Sequence, residues 1–171
     1  NVILRHDVDK HPQQALKMAE IERSLGISST YYFRIVRGVF DLTLIKEIHN
    51  LNHEIGYHYE VLAQNQGDPK KAIHDFELNL DKFRSVVPVK TICMHGSPLS
   101  KWRDYDLWDF FNYEDFNIIG EAFLSIDYDK VHYFTDTGRK WNNKTSNIRD
   151  EVVSNLDSIG ISSTRDLIDK L

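Results

Sequence analysis

The chain has 171 residues, 41% hydrophobic and 27% charged, which suits a globular domain with a sizeable core. Its 21 Lys and Arg against 26 Asp and Glu leave a formal charge of −5, a poor match to a nucleic-acid groove, where cationic clusters supply most of the affinity. A single cysteine, Cys93, excludes an intramolecular disulfide and a thiolate zinc cluster, and no apolar run approaches a membrane span. A bound metal would therefore rely on His and carboxylate ligands.

In chain order, residues 2–8 are expected to form a first strand, ending in the polar cluster Asp7-Val8-Asp9-Lys10. Pro12 suits the first turn of a helix whose apolar positions include Leu16, Ala19 and Ile21, with Gly26 as its stop. Ser29 to Val36, rich in β-branched and aromatic residues, predicts a second strand, and Leu42, Ile45, Ile48 and Leu51 a second helix. Residues 53–59 form the third expected strand. Asp68 caps a long helix whose stripe runs through Ala72, Ile73, Phe76, Leu80, Phe83 and Val87. Val89 to Met94 predicts a fourth strand and Asp104 to Asn112 a short aromatic helix. Further strands are expected at Ile118-Ile119 and Val131 to Phe134, with helices near 146–155 and 163–170.

This alternation predicts parallel strands joined by right-handed crossovers. About six strands, with no glycine-rich turn after the first, fit an incomplete or distorted (β/α) barrel better than an open dinucleotide-binding sheet. The reading is one domain over 1–171. Asn1 runs straight into the apolar Val2-Ile3-Leu4, and Leu171 falls on the last turn of an expected helix. Both ends suggest a fragment cut from a longer chain, or a domain missing flanking strands, so a missing address signal says little about location.

In such folds chemistry gathers at the C-terminal ends of the strands. There the sequence places Arg5-His6-Asp7-Val8-Asp9, then His58-Tyr59-Glu60, then His95-Gly96-Ser97-Pro98, and Asp136 to Arg139. Asp7 and Asp9 are two apart and so point to one side of an extended strand, as do His58 and Glu60. Two such close carboxylates repel unless a cation or proton lies between them or one is engaged elsewhere. Asp9 and His58 would supply an oxygen and a nitrogen suited to zinc. Taken alone, an Asp-x-Asp pair is commonest as a solvated strand end or cap, and Cys93 reads as core. The weight lies in three polar clusters falling at three strand ends.

The stretch Leu4-Arg5-His6-Asp7-Val8-Asp9, followed by Glu54-Ile55-Gly56-Tyr57-His58, resembles the polysaccharide deacetylases of the NodB-homology type, carbohydrate esterase family 4. The resemblance implies a distorted (β/α) barrel and metal-assisted removal of N- or O-acetyl groups from a sugar or polysaccharide. It makes Asp7 the catalytic base, and Asp9 and His58 ligands of a divalent metal, with zinc the best match. The family's second histidine falls at Leu62 here, so His95 is the expected third ligand, with Glu60 its rival and otherwise a substrate-binding group. Asp136 with Trp141 resembles the family's fourth motif. Arg139 beside it is a replacement for the arginine that Met94-His95-Gly96-Ser97-Pro98 lacks, and all three are assigned to substrate binding. The family's late histidine acid has no counterpart before Leu171, leaving His6 and His11 as fallback proton donors. Tyr57, Tyr59, Trp102 and Trp141 are candidates for stacking on sugar rings, though such aromatics are also ordinary core. Two alternatives stay open: a catalytically degraded carbohydrate- or partner-binding domain, and a small-molecule amidase on the same barrel.

Overall fold

A computed structural model describes residues 2–97, 99–135, 161 and 163–170. The chain divides into two compact units, Asn1–Leu124 and Ser125–Leu171.

The first unit is an α/β structure built on a five-stranded, wholly parallel sheet in the order β1-β2-β3-β4-β5. Its strands are β1 (Arg5–Val8), β2 (Thr30–Phe33), β3 (Glu54–Tyr59), β4 (Thr91–Met94) and β5 (Gly120–Glu121). Between them lie α1 (Pro12–Ser24), α2 (Leu42–Asn50), the single turn α3 (Val61–Gln64) and α4 (Pro69–Arg84), followed by 3-10 turns at Asp104–Asp109 and Tyr113–Phe116. The starts follow local chemistry. Pro12 and Pro69 open α1 and α4, while the Asp41 and Asp68 carboxylates accept backbone N–H bonds from the first turns of α2 and α4. Gly26, at φ 74°, takes the left-handed conformation after α1.

The period of two gives the sheet two different faces. Val8, Tyr31, Phe33, Ile55, Tyr57, Tyr59, Ile92 and Met94 pack with Ala15, Ala19, Ile45, Ile48, Phe76, Leu80 and Phe83 of the helices in the main core. On the opposite face Tyr32, Cys93 and Ala122 form a separate small cluster. Cross-strand register aligns Asp7 with Tyr32, Tyr32 with Gly56, and His58 with Cys93, so these residues share the second face. Gly56 is required there. A Cβ at this position would lie 2.3 Å from the Tyr32 ring and 3.1 Å from the Thr91 carbonyl oxygen.

Several expectations are corrected. The first strand begins at Arg5 rather than residue 2; Val2 and Ile3 are exposed, on the side of β1 that has no neighbour among the described residues. Pairing near Ile118-Ile119 falls two residues later, at Gly120–Glu121, after Ile119 N–H has bonded to the Lys90 carbonyl. The aromatic segment after Arg103 winds as a 3-10 turn, Asp104–Asp109. Val131 to Phe134 is not a strand: Val131 N–H turns back to the Asp127 carbonyl, and Val131 is exposed, so the alternation buries no face. The described residues hold five strands rather than six.

Within the second unit, α5 (Thr164–Lys170) matches the expected last helix, and the Tyr128 and Tyr133 rings meet edge-on at 5.5 Å. The expected helix at 146–155 lies outside the described residues. Among the described residues no helix is long and apolar enough to cross a membrane.

Candidate metal centre

The second face of the sheet ends in a row of polar side chains at the C-terminal ends of the strands. Asp9 follows β1, Arg34 follows β2, His58 and Glu60 come from the end of β3, and His95 follows β4. Parity explains the set: each stands two residues beyond a residue already on that face.

Asp9 Oδ1 is the point of convergence. It lies 3.6 Å from His58 Nε2, 3.7 Å from His95 Nε2 and 3.7 Å from Arg34 Nη1. These separations are too long for hydrogen bonds. This oxygen is buried and has no hydrogen-bond partner. A tetrahedral ion with bonds of about 2.0–2.2 Å spaces its ligand atoms about 3.3–3.6 Å apart, close to what Asp9 makes with each imidazole.

The rear nitrogens of both rings are engaged elsewhere. His58 Nδ1 donates to the Cys93 carbonyl at 2.9 Å, leaving a lone pair on Nε2. Burial pushes the His58 pKa down, favouring the neutral form that can ligate a cation. His95 Nδ1 lies 3.2 Å from Glu60 Oε2 and 3.2 Å from Ser97 Oγ, which turns its Nε2 toward Asp9. Burial alone would raise the Glu60 pKa, but hydrogen bonds from His95 and Arg34 outweigh it and hold the carboxyl at about 2. Glu60 therefore backs His95 and is itself clamped by Arg34 at 2.7 Å through both carboxylate oxygens, while Ser97 N–H reaches His95 Nδ1 at 3.3 Å. Ser97 Oγ continues the chain to Asp104, whose Oδ1 accepts from the Leu62 and Ala63 amides.

Asp7 stands two residues before Asp9 on the same side of β1, and Arg5 Nη2 donates to its Oδ2 at 3.2 Å. Ligand atoms of Asp7, His58 and Cys93 all lie within 4.8 Å of one another. The rim thus carries three carboxylates against two guanidiniums, a local excess of one negative charge that a divalent cation would reverse.

The structure brings Asp7, Asp9, His58, Glu60 and His95 to one rim. Asp136, Arg139 and Trp141 lie outside the described residues. His6 faces the helices and bonds through Nε2 to Glu22 Oε1 at 2.7 Å, and His11 caps α1 in a left-handed conformation. Tyr57 and Tyr59 alternate away from His58 into the helix-facing core against Phe76, so they are not sugar-stacking surfaces. Sequence reasoning passed over Arg34, Ser97 and Asp104. It also read Cys93 as core without noting that its pairing with His58 puts it on the site's face. Arg34 had a signal, since it falls within the expected strand Ser29 to Val36 at the parity of Thr30 and Tyr32.

The chain matches no protein-family model, and no curated protein is recognisably related to it by sequence.

Proposed function

We propose that this chain is a metal-dependent hydrolase that removes acetyl groups from an N- or O-acetylated sugar or polysaccharide. The observation that carries the reading is Asp9 Oδ1, buried without a hydrogen bond between two imidazole Nε2 atoms at 3.6 and 3.7 Å. One carboxylate oxygen and two imidazole nitrogens are a donor set that fits zinc or a similar divalent cation. The resemblance of the Asp7-x-Asp9 and Glu54-Ile55-Gly56-x-His58 segments to polysaccharide deacetylases supports the acetyl substrate. A strand order that advances in one direction supports a (β/α) barrel segment over a doubly wound sheet, whose order reverses at a switch point.

Asp9, His58 and His95 would hold the cation, which supplies Lewis acidity for the acetyl carbonyl and for the attacking water. Asp7 stays outside that set and accepts the proton of the water as it attacks. Arg5 fixes the Asp7 carboxylate from the preceding position on the same face. The same carboxyl then carries the proton that the departing amine or alcohol needs. Arg34 and Glu60 keep His95 oriented.

Paired substitutions test the assignment, read as zinc content and acetate release from acetylated sugars. Asp7→Asn keeps its metal and loses about 10²–10⁴-fold in turnover, whereas Asp9→Asn loses both. An Asp7→Asn protein that kept most of its activity would overturn the base. Acetate released from simple amides but from no acetylated sugar would favour the amidase.

A further inference from the structure

A second set of ligand atoms shares His58. His58 on β3 and Cys93 on β4 are direct cross-strand partners and therefore project from the same face. Asp7 projects from that face too, and the ligand atoms of the three all fall within 4.8 Å. A second observation points to a ligand here. The His58 side chain is 3% exposed, its Nδ1 is committed to the Cys93 carbonyl, and its Nε2 stands 3.6 Å from Asp9 Oδ1, too far for a hydrogen bond. An imidazole held in this way keeps a lone pair on Nε2 that can ligate a cation.

We propose that Asp7, His58 and Cys93 form a soft-metal site that competes with the Asp9–His58–His95 set for the same imidazole, so that a thiophilic cation bound there removes Asp7 from use as a base. Thiolate selects soft ions, whereas the outer set offers nitrogen and oxygen alone. A cation larger and softer than zinc, such as cadmium, suits the wider spacing and the sulfur. Binding forms a metal–sulfur bond as the Cys93 S–H proton leaves to the buffer, so one proton is released per ion. No electron transfer is involved. The competition between sets rests on the metal reading of Asp9, His58 and His95; the inner set stands independently of it.

The test is titration of the full chain with cadmium and, separately, with zinc, comparing wild type with Cys93→Ser, Cys93→Ala, Asp7→Asn and His95→Ala. Cadmium should produce a near-ultraviolet thiolate-to-metal absorption band in wild type, saturating at one equivalent and persisting in His95→Ala. Both Cys93 variants should lack the band and bind cadmium more than about a hundredfold more weakly, since loss of even an outer-shell partner costs about 10–100-fold. Asp7→Asn should weaken cadmium but not zinc, and His95→Ala zinc but not cadmium. Cadmium bound by wild type without the band overturns the inner site and leaves the outer one standing. The band with zinc affinity unmoved by His95→Ala overturns the outer set alone, and a chain that takes up neither ion overturns both. The wild-type band needs no variant, so the proposal stays exposed to failure even if the buried Cys93 substitutions unfold the protein.

Discussion

Arg34 grips Glu60 with a two-pronged contact: Nη2 donates to both carboxylate oxygens at 2.7 Å, and Nε reaches Oε1 at 3.3 Å. The other oxygen, Oε2, is also the one that faces His95 Nδ1. The guanidinium therefore sets the position of a carboxylate that in turn sets the direction of an imidazole. Charge-assisted bonds of this kind are short and directional, so the constraint passes along the chain with little slack.

Replacing Arg34 by Met leaves Glu60 largely buried with one partner fewer. His95 should then lose its fixed orientation, and zinc affinity should fall by about 10–100-fold, with about 1.5–3 kcal/mol lost in stability. A chelator-competition titration measures the first and urea unfolding the second. Arg34→Lys should recover part of the charge effect but not the two-pronged geometry, so its zinc affinity should lie between the two. Zinc affinity equal to wild type in Arg34→Met would show that His95 needs no such support.

Much of this arrangement was legible in the sequence because it depends on parity and on strand ends. Asp7, Asp9, His58 and His95 each lie at or just past an apolar run, and alternation alone puts them on one side. The same rule would have disclosed Arg34, but an arginine near the end of an expected strand reads as a solvated side chain until its carboxylate partner is known. Asp104 was not legible, because its role comes from folding back 41 and 42 residues onto the amides of Ala63 and Leu62. Val131 to Phe134 misled for a related reason. Alternation specifies a strand only where a neighbour accepts its hydrogen bonds, and here a turn at Asp127 takes the backbone elsewhere.

Gly56 carries a steric prediction. The Tyr32 ring occupies the space of its missing side chain, and the Tyr32 hydroxyl is tied to Thr91 Oγ1 at 3.1 Å, which in turn donates to Glu54 at 2.8 Å. The ring cannot swing away without giving up that bond. Gly56→Ala should destabilise the chain by about 1–3 kcal/mol, the usual cost of forced overpacking. Combined with Tyr32→Leu it should cost less than the sum of the two, because the shorter side chain clears the ring contact. The Thr91 carbonyl at 3.1 Å would remain, so recovery should be incomplete. Strict additivity in urea unfolding would show that the ring is not the obstacle.

Glu121 is a buried carboxylate at the end of β5 that serves the backbone. Its Oε1 accepts from Met94 N–H at 2.9 Å, and its Oε2 from Phe123 and Leu124 N–H at 2.6 and 3.0 Å. Burial raises its pKa, against the pull of those amides. Glu121→Ala should leave the Met94 and Phe123 amides without this acceptor, while Leu124 N–H keeps the Glu121 carbonyl, and cost about 2–6 kcal/mol, at about 1–3 kcal/mol for each unsatisfied buried group. Glu121→Gln keeps one oxygen acceptor and should fall between Ala and wild type. Unfolding midpoints at neutral pH rank the three proteins, and an Ala variant as stable as wild type would mean that water reaches those amides.

Asp104 gives a pH-dependent prediction. Burial raises its carboxyl from an ordinary 3.8 to about 6, although bonds from Ala63, Leu62 and Ser97 pull the other way. Between those two values the unfolded chain has released a proton that the folded chain still holds. Stability from this group therefore falls as pH rises from about 4 to about 6 and is flat beyond. The ceiling on the effect is about 3 kcal/mol, at 1.36 kcal/mol per unit. Asp104→Asn keeps an Oδ1 to accept the Leu62 and Ala63 amides and offers an N–H to Ser97 Oγ, without a charge to bury. The variant should melt above wild type at pH 8, and the gap should close as both are measured toward pH 4. A gap that stayed constant across that range would assign the difference to packing, and a variant less stable at pH 8 would show that the charge is needed to hold α3.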